Sequence, residues 1–88
     1  MRGRYLEMTY RKGRPLAAYL YLPRKPGVKS VRTEQASERI LVDFAEDDTP
    51  MGLEITDPEG VSVKEINQVL DQLGQAKVTP EELAPFAA

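Results

Sequence analysis

The chain contains no cysteine, no histidine and no tryptophan. Without cysteine there is neither a disulfide framework nor a thiolate site. Without histidine, Ser-His-Asp and Cys-His catalysis and zinc sites built from thiolate or imidazole are also excluded. No apolar run approaches the roughly 20 residues needed to span a bilayer, and the basic N-terminal segment lacks the apolar stretch of a signal peptide. The expectation is a cytoplasmic, non-enzymatic protein without cofactor, metal or membrane association. The 88 residues suffice for one modest core but not for a core enclosing a catalytic cavity. Folding at this size buries roughly 60–65% of the unfolded surface, so self-association would add stability.

Charge is divided by position. Residues 1–32 carry nine Lys/Arg against the single acid Glu7, for +8, whereas residues 33–88 carry three against thirteen, for −10, and the total is −2. Either the halves neutralise each other in the fold or one presents a charged face to a partner.

Hydrophobic periodicity predicts five strands followed by a helix. Leu6, Met8 and Tyr10 alternate with Tyr5, Glu7 and Thr9, and the turn Arg11-Lys12-Gly13-Arg14-Pro15 follows. Leu16, Ala18, Leu20 and Leu22 then face one side and Ala17, Tyr19 and Tyr21 the other, so this strand belongs inside a sheet; Pro23 and Pro26-Gly27 end it. Val28 to Gln35 reads as a polar edge strand. Ile40, Val42 and Phe44, then Met51, Leu53 and Ile55 across a turn at 46–50, form a hairpin that Asp57-Pro58-Glu59-Gly60 stops.

Helix punctuation is sharp. Ser62 and Glu65 have capping-box spacing, Val61 and Ile66 occupy the staple positions, and Val63, Ile66, Leu70 and Leu73 form an apolar stripe up to Gly74. The signals recur in Thr79, Pro80 and Glu82, with Val78 and Leu83 as a second staple and Pro85 as the stop. The expected architecture is α+β: an antiparallel sheet with the main helix on one face, a single domain over residues 1–76, and a C-terminal extension over 77–88 with a short helix. The helix stripe would cover Leu20, Val42, Phe44, Leu53 and Ile55. Tyr5, Tyr19, Tyr21 and Leu41 would remain on the other face.

Leu41-Val42-Asp43-Phe44, the acidic turn and Met51-Gly52-Leu53-Glu54-Ile55 resemble a bacterial family known as domain of unknown function 2283. Met8-Thr9-Tyr10, Ala18-Tyr19-Leu20 and Thr33-Glu34 extend the resemblance over roughly residues 6–57. The chain departs from the family pattern in its first turn, where Arg11, Lys12 and Arg14 stand at positions usually acidic. The resemblance implies a small, mostly β, bacterial cytoplasmic protein, with no established activity attached. Similar proteins are suspected of belonging to two-gene toxin–antitoxin-like pairs.

Three residue groups are candidates for function. Asp43, Glu46, Asp47, Asp48 and Glu54 gather around one hairpin, as a divalent-cation site or an acid/base pair would require, but they lack EF-hand spacing and turn acids are commonly solvated. The preferred account of Asp43 and Glu54 is a cross-strand network neutralised by Arg32 or Arg39. Arg11, Lys12 and Arg14 crowd one turn, and Arg24, Lys25, Lys29 and Arg32 surround the next. At one end of the sheet they would form a basic patch for a phosphate backbone, with Tyr19 and Tyr21 for stacking, as in a nucleic-acid-binding regulator. The tyrosine face is the third candidate, and the leading expectation is a homodimer that also binds a protein partner through it.

Overall fold

The computed structural model describes residues 4–79, 81 and 82. The strands are β1 (Tyr5–Arg11), β2 (Arg14–Tyr21), β3 (Arg32–Ser37), β4 (Ile40–Phe44) and β5 (Pro50–Thr56), followed by a 3₁₀ turn (Pro58–Gly60) and α1 (Val63–Gln72). They form one antiparallel sheet in the order β1-β2-β5-β4-β3. The fold is therefore the α+β arrangement expected, with β2 interior and β3 at an edge.

Register explains the core. Met8, Ala18, Ile55 and Ile40 stand side by side across four strands, and Leu6, Leu20, Leu53 and Val42 form the next row. Ala18, Leu20, Ile40, Val42, Leu53 and Ile55 are buried in one cluster with Ile66, Val69 and Leu70 of α1, and Leu6, Met8, Phe44 and Leu73 pack against it. The helix thus contributes its apolar stripe to the same face of the sheet that the alternation of Leu20, Val42 and Leu53 marks.

The caps form as the spacing requires. Ser62 Oγ accepts from the Glu65 amide at 3.1 Å. The Glu65 carboxylate does not close the box; it accepts from Ser37 Oγ at 3.0 Å, tying α1 to the end of β3. Val61 is buried in the cluster with Ile66, consistent with a hydrophobic staple. Gly74 has φ +72°, and its amide donates to Asp71 O while that of Gln75 donates to Leu70 O, a Schellman ending.

Several boundaries differ from the expectations. The first turn is only Lys12-Gly13, both with positive φ, the two-residue hairpin form whose twist suits antiparallel strands. β3 begins at Arg32 rather than Val28; Val28 and Val31 lie in the preceding loop and are exposed. Leu16 is exposed because pairing of β2 with β5 begins only at Ala17–Thr56. Val63, in the first turn of α1, is exposed, and Val69 completes the stripe instead.

Beyond α1, Val78 is buried in the main cluster and its amide donates to Asn67 Oδ1 at 2.8 Å. Arg4 spans Glu82 with two hydrogen bonds, at 2.9 and 3.1 Å, and donates to the Ala76 and Lys77 carbonyls. The second capping box closes reciprocally between Thr79 and Glu82. Pro80, Leu83 and Pro85, and with them the short second helix, lie outside the described residues.

Replacing Ser62 with Ala leaves the Glu65 amide uncapped and is expected to lower stability by about 1 kcal/mol in urea unfolding. Gly74→Ala forces a Cβ into the left-handed region and is expected to cost a similar amount, about 1 kcal/mol. Unchanged midpoints in both variants would contradict this account of the helix ends.

Candidate interaction face

The face opposite the core carries two ordered rows. Tyr5, Tyr21, Gly52, Asp43 and Thr33 stand side by side across all five strands, followed by Glu7, Tyr19, Glu54, Leu41 and Gln35. The four residues expected on this face, Tyr5, Tyr19, Tyr21 and Leu41, are therefore brought together. Tyr5 is 51% exposed; Tyr19, Tyr21 and Leu41 are half-buried. The Tyr5 and Tyr21 rings stack with centroids 4.4 Å apart, and Tyr19 meets Tyr21 edge-on at 4.6 Å. The Arg24 guanidinium lies 5.3 Å from the Tyr21 ring centre.

Tyr19 is held in place by residues from three strands. It pairs with Glu54, but its ring leans diagonally over Gly52, where a Cβ would collide with the ring and hydroxyl. The hydroxyl donates to Asp43 Oδ2 at 2.8 Å, and Thr33 donates to Oδ1 of the same carboxylate at 2.5 Å. Gly52 is thus the seat of an aromatic ring, which an isolated glycine in a strand can signal. Burial, and then the carboxylate that needs the phenol proton, push the Tyr19 hydroxyl far above its ordinary value. Tyr21 moves the same way, through desolvation and its 3.1 Å hydrogen bond to Glu7.

The expected neutralisation of Asp43 and Glu54 by Arg32 or Arg39 is not what the fold provides. Asp43 faces Gly52 rather than Glu54, so the two carboxylates are not directly opposed. Arg32 instead pairs with Glu34 at 2.7 Å and with Asp48, and Arg39 pairs with Asp57 at 3.3 Å. Two acids of the β4–β5 turn, Asp47 and Asp48, have local partners. Asp47 Oδ1 accepts from the Thr49 amide at 3.1 Å, and bonding with Thr49 lowers its pKa. Among the described residues no group of three His, Cys, Asp or Glu is arranged to hold a metal ion.

The basic turns are separated. Arg11, Lys12 and Arg14 lie at one end of β2, where Arg14 approaches Glu59 at 3.8 Å. Arg24, Lys25 and Lys29 follow its other end, about 25 Å away along an eight-residue strand. They do not form the single patch that a shared end of the sheet would have made. Part of the charge division is resolved internally, since Arg4–Glu82, Arg14–Glu59 and Arg32–Asp48 each join the basic segment to the acidic one.

No helix among the described residues is long and apolar enough to cross a membrane. The model of the family described as Protein of unknown function (DUF2283) matches residues 17–57, from β2 to the residue after β5. No curated protein and no solved structure matches the chain significantly.

A raised phenol pKa makes stability depend on alkaline pH. Below the ordinary value of 10.0 the phenol is protonated in both folded and unfolded chains. Above it the unfolded chain loses the proton first, so stability falls as pH rises. Tyr19→Phe is expected to flatten the decline in stability above pH 10, measured by urea unfolding. An identical decline in the variant would contradict the burial and bonding of this hydroxyl.

Proposed function

Starting from a β2–β5 segment that belongs to this family of unknown function, we propose that the protein is a non-enzymatic interaction module that forms a homodimer through its tyrosine face. The observation that carries this reading is the contrast between the two faces. One is buried with α1 in the core, and the other holds a connected, partly exposed cluster of three tyrosines, with Leu41 two strands from Tyr19 in the same row. Tyrosine gives large contact area with a polar tip, which suits a surface wet in the monomer and covered in a complex.

A second copy is the occupant that the charges favour. The face carries Arg24 beside its aromatic side and Glu54 and Asp43 toward its centre. An isologous two-fold contact that brings the cation of one copy to an acid of the other makes the same contact twice. Strands spaced about 4.8 Å apart and five to eight residues long give a face roughly 20 Å on a side. Two such faces bury on the order of 800 Å² in total, below the standard interface range, so weak association, with dissociation in the upper micromolar range, is expected. A toxin–antitoxin-like partner would be a different protein on the same surface. A nucleic-acid regulator would have to rely on one basic turn rather than a joint patch.

Sedimentation equilibrium over roughly 5–500 μM is the test. The wild-type chain is expected to pass from monomer to dimer, and Leu41→Arg, which places a cation on the face beside Glu54 without entering the core, to remain monomeric. A wild type that stays monomeric, or a dimer indifferent to Leu41→Arg, would overturn the reading.

A further inference from the structure

Among the described residues, Glu54 is the carboxylate in the central row of the face that has no hydrogen-bond or ion-pair partner. It is half-buried in the middle strand, between Tyr19 and Leu41 in register. The flanking acids are engaged: Glu7 accepts from Tyr21 and Asp43 from Tyr19 and Thr33. Among the described residues Glu54 takes part in no ion pair. Arg24 is its counterpart in charge. Its guanidinium rests against the Tyr21 ring, has no carboxylate partner among the described residues, and acts electrostatically on the Tyr19 phenol.

Face-to-face association would desolvate both groups. An unpaired carboxylate beneath a second layer of tyrosines is strongly unfavourable, whereas a cation delivered to it restores the balance and fixes orientation. Two-fold symmetry supplies the contact twice. Resting on the homodimer reading above, we infer that Arg24 of each copy pairs with Glu54 of the other, and that these two reciprocal ion pairs set the register of the dimer. Arginine suits the position because its flat guanidinium can stack on Tyr21 while its edge donates to a carboxylate.

A charge-exchange cycle tests this by sedimentation equilibrium. Arg24→Glu and Glu54→Arg are each expected to weaken the dimer by about tenfold or more, and the double exchange to restore it to within about threefold of wild type. Glu54→Gln, which keeps the side chain's shape, is expected to weaken it while leaving the unfolding midpoint of the dilute monomer unchanged. Singles that dimerise like wild type, or a double variant no tighter than either single, would overturn the Arg24–Glu54 pairing while leaving the tyrosine-face dimer standing. A wild type monomeric at every concentration would overturn both.

Discussion

A five-stranded sheet has two faces, and the described chain offers one ten-residue helix to bury against them. The rest of the structure follows from how that limited apolar surface is assigned. Leu20, Val42, Leu53, Ile55, Ile66 and Leu70 are almost wholly excluded from water within one cluster, and each such side chain contributes about 1.5–3 kcal/mol of transfer free energy. β5 is central to this arrangement because it pairs with β2 on one side and β4 on the other. Its alternation places Leu53 and Ile55 inward and Gly52 and Glu54 outward. The composition of the open face is therefore fixed by the same period-2 geometry that builds the core.

Polar contacts make the open face ordered. The Tyr19 ring seated on Gly52, with its hydroxyl on Asp43, links β2, β5 and β4, and Thr33 extends the link to β3. Such a network stabilises only modestly in net terms, because its members would otherwise bond to water. Its larger effect is to hold Tyr19 against Tyr21, and Tyr21 against Tyr5, in one arrangement. A surface whose side chains are already positioned loses less conformational entropy when a partner covers it. Tyr19, Thr33, Asp43 and Gly52 all lie in the segment that the family model matches.

Much of the fold could be read in the residues themselves. The alternation of Ile40, Val42 and Phe44 with Leu53 and Ile55 marked the central hairpin. Ser62, Glu65 and Gly74 marked both ends of α1, because these signals are local and each has a single physical cause. The tyrosine face followed from strand phase alone. The partner of Asp43 did not, since the reach of Tyr19 across Gly52 depends on the register of β2 against β5 and of β5 against β4. The separation of the basic turns depends on chain direction in space rather than on local sequence. Val28 and Val31 resembled strand residues by composition, yet the chain after Pro23 rejoins the sheet only where the Val31 amide donates to the Phe44 carbonyl, just before β3.

The central claim, that the tyrosine face is the surface this protein uses, is tested most directly by backbone and tyrosine-ring NMR spectra recorded along a dilution series. The account predicts concentration-dependent shifts confined to Tyr5, Tyr19, Tyr21, Leu41, Glu54 and their row neighbours, with α1 and the Lys12-Gly13 turn unmoved. Shifts centred on the β3 edge or the basic loops, or none at any concentration, would contradict it.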